Sequence, residues 1–496
     1  MNPAEIDTEL QKARSCMAVK QYPEALSIYA RLTEQTQHSA HLFEYGSAAA
    51  GSGDFDLADR VWQKLISRES NNAQLLWRLA GEYGKMSLFT KAGVLFAKAA
   101  KLEPGNLEIQ LSLVSHLAKT SSVGEVRANL KKCLDLDMNA EWARFYSAHI
   151  DRFDNKLAEA EKQFRDLIAW RPRNPEILST CHLELARLLD RSERFDEAII
   201  ELEEAKRIAS QNINHLAEQR KAFEARRDKL VRPAQALPKN ILDLWAKTFP
   251  VQARLPAPPL AFLGGHIRSG TTLLEKIIDA HPGVSAYDEA LAYYTIAPLI
   301  DITAPEIPVE KLNFLRQRYL KNLPLDTDPP AAGAMLLDKN PGATLDLPAI
   351  LRSFPEMHVL IALRDPRDVI VSSYFIRPVH YMHLSLQALA QHYSNVMDVW
   401  LAVREWQGLA WTETRYEDIV ANLEKEGRRV TDFLGLPWHE NQARFYENNR
   451  QKPTKNYNEV GQPVYKRAVG RWRAYEKHLA PILPVLEHYC KKFGYD

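Results

Sequence analysis

The stretch LAFLGGHIRSGTTLLEKIIDAHPGVSAYDE, residues 260–289, decides how the C-terminal half of this chain folds. Its opening run, Leu260 to Leu263, is short and apolar, as expected of a strand buried on both faces of a parallel sheet. Gly264 and Gly265 supply a turn, and from Thr271 the residues Leu273, Leu274, Ile277 and Ile278 recur at helical spacing. Strand, glycine-bearing turn and helix together aim backbone N–H groups and the positive end of a helix at an anion. Gly265 and Gly270 have the spacing of a P-loop, but Thr271 stands where GxxxxGK[ST] would carry its lysine. Without that lysine and its usual magnesium partner, γ-phosphate transfer is disfavoured. The cation inside the loop is Arg268.

Residues 358–375, HVLIALRDPRDVIVSSYF, repeat the same logic. Val359 to Leu363 form the next buried strand, Asp365 is the expected N-cap, and Pro366 takes the first helical position, where its missing N–H costs nothing. Arg364 emerges at the carboxyl end of the strand, the edge at which open α/β sheets bind ligands. Ser372 follows about two helical turns later. A kinase needs one phosphate cradle and magnesium ligands; two anion sites on neighbouring strands fit a ligand that is acidic at both ends. A further strand, Met335–Leu337, leads into Asp338, Lys339, Asn340 and Pro341.

The N-terminal half reads as internal repeats. An aromatic or apolar residue, a small residue three positions on and a bulky one seven positions on recur at Tyr22/Ala25/Tyr29, Phe55/Ala58/Trp62, Phe89/Ala92/Phe96, Val123/Val126/Leu130, Leu157/Ala160/Phe164 and Phe195/Ala198/Leu202. The period of about 34 residues identifies tetratricopeptide repeats, each a pair of antiparallel helices. Residues 1–232 are therefore expected to form an all-α superhelix, its concave surface suited to a protein or peptide, with the charged run 211–232 as a capping helix. Six prolines between Pro233 and Pro259 mark residues 233–259 as a linker or an extended lead-in to the first strand, and Trp245 and Phe249 require it to pack against something. Residues 260–496 form the α/β domain.

With Lys plus Arg at 64 and Asp plus Glu at 63, no general nucleic-acid binding is implied. The four cysteines are far apart and expected to be buried thiols, with neither a disulfide framework nor a metal site. The acidic N-terminus and the lack of a long apolar run indicate a soluble, cytoplasmic chain without a membrane segment.

The block RSGTTLLEKIIDAHP with a following glutamate resembles the phosphosulfate-binding loop of sulfotransferases, which use 3′-phosphoadenosine 5′-phosphosulfate (PAPS) and release adenosine 3′,5′-bisphosphate. It looks closest to the tyrosylprotein sulfotransferase branch and its bacterial relatives carrying tetratricopeptide repeats. The resemblance implies a P-loop-like parallel α/β fold. It assigns the donor's 5′ end to Gly265, His266, Ile267, Arg268, Ser269, Gly270, Thr271 and Thr272, and the 3′-phosphate to Arg364 and Ser372. Lys339 matches a lysine at the leaving group, with Asn340 replacing an aspartate. Glu289, 21 residues after Arg268 (268 to 289), matches the catalytic base; the competing account is that Asp288 and Glu289 decorate the first turn of a helix running from Ala290. Tyr416 is a candidate for the adenine pocket. His281 reads as a helix-end residue.

A third block, residues 452–476 (KPTKNYNEVGQPVYKRAVGRWRAYE), resembles a segment that closes over the 3′-phosphate in the bacterial relatives. Asn456, Glu459, Gly461 and Ala468 depart from that pattern, so Lys466, Arg467 or Arg471 is expected to supply the charge. The function implied is sulfuryl transfer from PAPS, without a metal, to an acceptor hydroxyl: protein tyrosine by resemblance, with a saccharide, lipid or small phenol left open. The alternative is a tetratricopeptide scaffold whose nucleotide fold has lost catalysis.

Overall fold

The computed structural model describes residues 2–19, 21–36, 38–324, 330–447 and 468–495. Among these, twelve helices run in succession from Pro3–Ala18 to Phe195–Ser210. The second helix of each pair starts at the first residue of a motif, at Tyr22, Phe55, Phe89, Val123, Leu157 and Phe195. The small residue of each motif is buried where helices meet: Ala25, Ala58, Ala92, Ala160 and Ala198 have no exposed surface, and Val126 has 4%. A larger side chain there would push neighbouring helices apart, because interiors are close-packed. Pro104 and Pro172 each lie two residues beyond a helix that ends at Leu102 or Trp170, as expected of a residue that cannot continue the hydrogen-bond ladder.

The proline-rich segment is more than a linker. Its prolines flank an eight-residue, proline-free run that forms the helix Ile241–Thr248. Trp245 is buried there edge-on to Trp406, with ring centroids 5.4 Å apart, and Arg352 lies 4.7 Å over its ring.

Five parallel strands follow: β1 (Leu260–Gly265), β2 (Val284–Asp288), β3 (Met335–Lys339), β4 (His358–Leu363) and β5 (Trp411–Arg415), in the order β2-β3-β1-β4-β5. Side chains alternate across the central strand. Ala261 and Leu263 pack with Leu274, Ile277 and Ile278 of the helix Thr271–Asp279. Leu260 and Phe262 pack on the other face with Val369 and Ile370 of the helix Pro366–Tyr374. The helices after β1 and β4 therefore lie on opposite faces. Their loops diverge from adjacent strand ends and open a crevice, the topological switch point of such sheets.

That second face and the repeat helices share one continuous buried cluster. Polar contacts reinforce the junction. Lys206, buried, donates to the His383 carbonyl at 2.6 Å, Arg187 to that of Phe375 at 2.8 Å, and Arg318 to that of Ser52 at 2.8 Å. Thus the helical array grips the α/β domain near its own beginning and again near its end. No helix among the described residues is long and apolar enough to cross a membrane.

Candidate active site at the switch point

The loop after β1 is built on two positions that require glycine. Gly265 has φ +126°, and a Cβ there would lie 2.4 Å from the Ala362 carbonyl oxygen of β4. Gly270 has φ +90°, and its Cβ would lie 2.7 Å from the Tyr416 ring. Between them the backbone stays tight: the Ser269 amide donates to the His266 carbonyl at 3.1 Å. That amide is committed to the turn, so the free donors of the cradle begin with the first amides of the helix Thr271–Asp279, which by geometry have no intrahelical acceptor. Thr344 clamps the loop's start, accepting from the Gly265 amide and donating to its carbonyl, both at 2.9 Å.

His266 contributes backbone only. Its ring is buried, with Nδ1 2.8 Å from the Ile267 carbonyl and Nε2 3.0 Å from His392 Nδ1. Burial lowers its pKa to about 4, so it is neutral. Nδ1 must then carry the proton donated to Ile267, leaving Nε2 to accept from His392. Arg268 has φ +68°, a strained value for a non-glycine residue. Its side chain crosses the crevice and donates from Nε to Ser372 Oγ at 2.9 Å.

At the end of β4, Asp365 caps its helix as expected, accepting from the Arg367 amide at 2.9 Å. Arg364 is buried. One of its terminal nitrogens donates to the Arg268 carbonyl at 3.3 Å and the other to the Ala468 carbonyl. Its guanidinium stands 5.0 Å over the Tyr416 ring. Burial lowers its pKa, against the opposing pull of Asp368, Tyr416 and Glu417. Among the described residues its Nε has no hydrogen-bond partner, a buried donor of the kind that proteins otherwise satisfy. Tyr416, the first residue of a helix after β5, touches both Gly270 and Arg364, so three strand ends converge on one crevice.

The other side of the crevice carries charge of both signs. Asp288 and Lys339 face each other in the register of β2 and β3 and are in ion-pair contact. Lys339 also lies 3.6 Å from Glu289 Oε1. Burial alone would lower the Lys339 pKa; Asp288, Glu289 and Glu275 outweigh it and raise the value above the ordinary lysine range. The cation is therefore permanent at neutral pH. Glu289 does not open a helix at Ala290. It has φ +50°, its amide donates to the Lys339 carbonyl at 2.8 Å, and a 3-10 segment starts only at Leu291. The side chain of Glu289 is 37% exposed, whereas Lys339 beneath it is buried, so the carboxylate is the reachable group. Asn340 fixes this turn, donating from Nδ2 to the Ala290 carbonyl at 2.7 Å.

Glu275 went unread in the sequence because it stands one position off the apolar stripe of its helix, where an acid would normally be solvated. It is instead fully buried. Burial, with Asp288 and Asp279 adding to it and Lys276 and Lys339 opposing, pushes its carboxyl up to about 7. Thr344 carried no sequence signal beyond following a strand end. His281 accepts from the Gly283 amide at 3.0 Å and lies 2.9 Å from the Pro437 carbonyl, a structural role just past the end of its helix.

In the third block, Lys466 and Arg467 lie outside the described residues, as do Asn456, Glu459 and Gly461. Arg471 is described. It pairs with Asp190 of the helical array at 2.8 Å and lies 4.5 Å over the Phe375 ring.

Residues 259–440 match the sulfotransferase family. The chain is 23% identical over 434 residues to an uncharacterized protein of Aquifex aeolicus, covering 81% of this chain but about half (53%) of that relative's length. It is 25% identical over 268 residues to protein-tyrosine sulfotransferase 1 of Danio rerio, covering 48% of this chain and 72% of the relative. The sulfotransferase domain of the Synechococcus PCC 7002 olefin synthase superposes with a TM-score of 0.36 at 18% identity, over 49% of this chain and 96% of that domain. The crevice between β1 and β4 thus belongs to a sulfotransferase-family domain, which this chain carries behind an array of tetratricopeptide repeats.

Proposed function

We propose that the protein transfers the sulfuryl group of PAPS to an acceptor hydroxyl, and that the acceptor is a tyrosine in a protein or peptide. The observation that carries the donor reading is the pair of anion sites across one crevice. The Arg268 loop and the helix bearing Ser372 are joined by a hydrogen bond, and among the described residues the buried Arg364 Nε has no hydrogen-bond partner. A nucleotide with a phosphosulfate at one end of its ribose and a phosphate at the other would occupy both.

In this reading the 5′-phosphosulfate lies on the 265–272 loop, with Arg268 and the Thr271 and Thr272 amides and hydroxyls directed at it. The 3′-phosphate sits between Arg364 and Ser372, and Tyr416 borders the base. Glu289 removes the acceptor proton as the new S–O bond forms. The S–O bond to the bridging phosphate oxygen breaks, and Lys339, with Arg268, stabilises the negative charge that develops there. Adenosine 3′,5′-bisphosphate leaves. The protein-tyrosine sulfotransferases among the relatives and the repeat array, a surface suited to peptides, support a protein acceptor. Four free, buried cysteines fit a reducing compartment such as the cytoplasm.

The test is incubation of the full chain with isotopically labelled PAPS and a library of tyrosine peptides, read by mass spectrometry for added sulfuryl groups. Labelled sulfotyrosine is the expected product. Label appearing only on saccharides or small phenols would overturn the acceptor, and no binding of adenosine 3′,5′-bisphosphate would overturn the donor.

A further inference from the structure

Asp190 belongs to the helical array, near the end of the helix Pro175–Arg191, yet its carboxylate is spent on the C-terminal segment of the α/β domain. Oδ1 accepts from Arg471 at 2.8 Å and 3.1 Å and from the Tyr475 hydroxyl at 2.6 Å. Arg471 and Tyr475 open and close one 3-10 turn. The other side of that turn is held by the donor crevice. Asp368 accepts from the amides of Gly470 and Trp472, both at 2.7 Å, and Arg364 donates to the Ala468 carbonyl. The segment 468–475 is therefore stretched between a carboxylate of the repeats and a carboxylate one turn beyond Arg364.

A second contact comes from the same repeat helix. Arg187, three residues before Asp190, donates to the Phe375 carbonyl, which directly follows the helix bearing Ser372. Arg471 covers the ring of that same Phe375. One helix face thus holds the far end of the Ser372 helix and the turn that gives Arg364 its acceptor. Burial raises the Tyr475 pKa well above the ordinary phenol range, so its hydroxyl stays a donor to Asp190 throughout the neutral range.

We propose that Asp190 is a positioning residue for the donor site: by holding Arg471 and Tyr475 it fixes the 468–475 turn against Arg364 and Asp368, making the repeats part of the donor-binding structure. This rests on the reading of Arg364 and Ser372 as the 3′-phosphate site. Without Asp190 the turn keeps Asp368 but loses its opposing anchor, and Arg364 loses a fixed carbonyl to set its plane. Chemistry at the phosphosulfate end, where Arg268, Lys339 and Glu289 act, is untouched.

The test uses the full chain and the variants Asp190→Ala, Asp190→Asn and Asp190→Glu. Adenosine 3′,5′-bisphosphate affinity is measured by calorimetry, and KM for PAPS separately from kcat. Loss of charge-assisted hydrogen bonds to one carboxylate predicts a rise of about tenfold in Kd and KM for Asp190→Ala, with kcat at saturating PAPS within about twofold. Asp190→Glu should recover part of the affinity. A Kd unchanged in both Asp190→Ala and Asp190→Asn overturns the proposal, as does a fall in kcat at unchanged KM. Should Asp190→Ala misfold, the near-isosteric Asp190→Asn gives the same reading. Failure of the parent chain itself to bind the bisphosphate overturns the donor site and this inference with it, whereas binding by the parent with no change in the variants removes only the role of Asp190.

Discussion

Arg268 Nε donates to Ser372 Oγ at 2.9 Å, so the loop after β1 and the helix after β4 are bridged before any ligand arrives. The strained backbone at Arg268 holds that guanidinium across the crevice, and preorganised charge needs little rearrangement when negative charge develops. Arg268→Ala should lower transfer from PAPS by about 10²-fold or more while circular dichroism and melting remain those of the parent. Ser372→Ala should weaken adenosine 3′,5′-bisphosphate binding by about tenfold, the loss of one hydrogen bond to a charged group. Unaltered turnover in Arg268→Ala would remove that residue from the reaction.

Glu289 and Lys339 touch, but their substitution should fail differently. Glu289 is partly exposed and can be exchanged for glutamine at little structural cost, so Glu289→Gln should abolish transfer while leaving bisphosphate affinity and melting temperature near those of the parent. Lys339 is buried among carboxylates. Lys339→Met leaves Asp288 without its cation, and breaking a buried pair costs about 3–5 kcal/mol. That variant should lose both activity and stability, seen as a lower urea midpoint. Equal midpoints for the two variants would contradict the buried-pair account.

Gly270→Ala tests the contact between loop and Tyr416. The added methyl meets the ring at 2.7 Å, and φ +90° is unfavourable for alanine even with space. The conformational part alone costs about 1–3 kcal/mol. A double variant with Tyr416→Ala should recover the steric share of the stability loss but not the donor affinity, because Tyr416 also faces Arg364. Full recovery of affinity would show that Tyr416 is merely in the way.

Legibility of the sequence followed the range of the interactions. Repeat boundaries were readable because the aromatic–alanine spacing of each pair is local, and Ala25, Ala58 and Ala160 are buried as that spacing demands. The two strand–turn–helix units were readable for the same reason, down to the Asp365 cap. What remained hidden was made by contacts between distant segments. Thr344 clamps Gly265 across 79 residues, Asp190 reaches Arg471 across 281, and neither has a periodic pattern to announce it. The helix at Ile241–Thr248 was masked by the prolines on either side. The positive φ of Glu289 was invisible too, because the acids before Ala290 also suit a helix N-terminus.

The buried acids near Lys339 contribute to the pH dependence of stability with a sign opposite to that of a salt-bridged carboxylate. Burial raises Glu275 and Asp338 to about 7, from ordinary values of 4.5 and 3.8, with Tyr319 donating to Asp338 and opposing the shift. In the unfolded chain both ionise at their ordinary values; in the folded chain they resist. Each therefore contributes stability that is complete below its ordinary value and is lost as pH rises through about 7. Between pH 5 and about 7 these two acids lower stability, whereas His116, His266, His383 and His392, whose pKa values burial lowers, add stability as pH rises towards their ordinary 6.5. The acids are therefore read by comparing the parent with a variant of one of them. Glu275→Gln removes one of these ionisations while keeping the shape. It should be more stable than the parent at pH 8, by on the order of 2 kcal/mol, and no more stable at pH 5. Melting curves of both proteins at the two pH values decide the matter: a stability difference that does not change with pH would mean that Glu275 is ionised throughout, with Lys339 winning over burial.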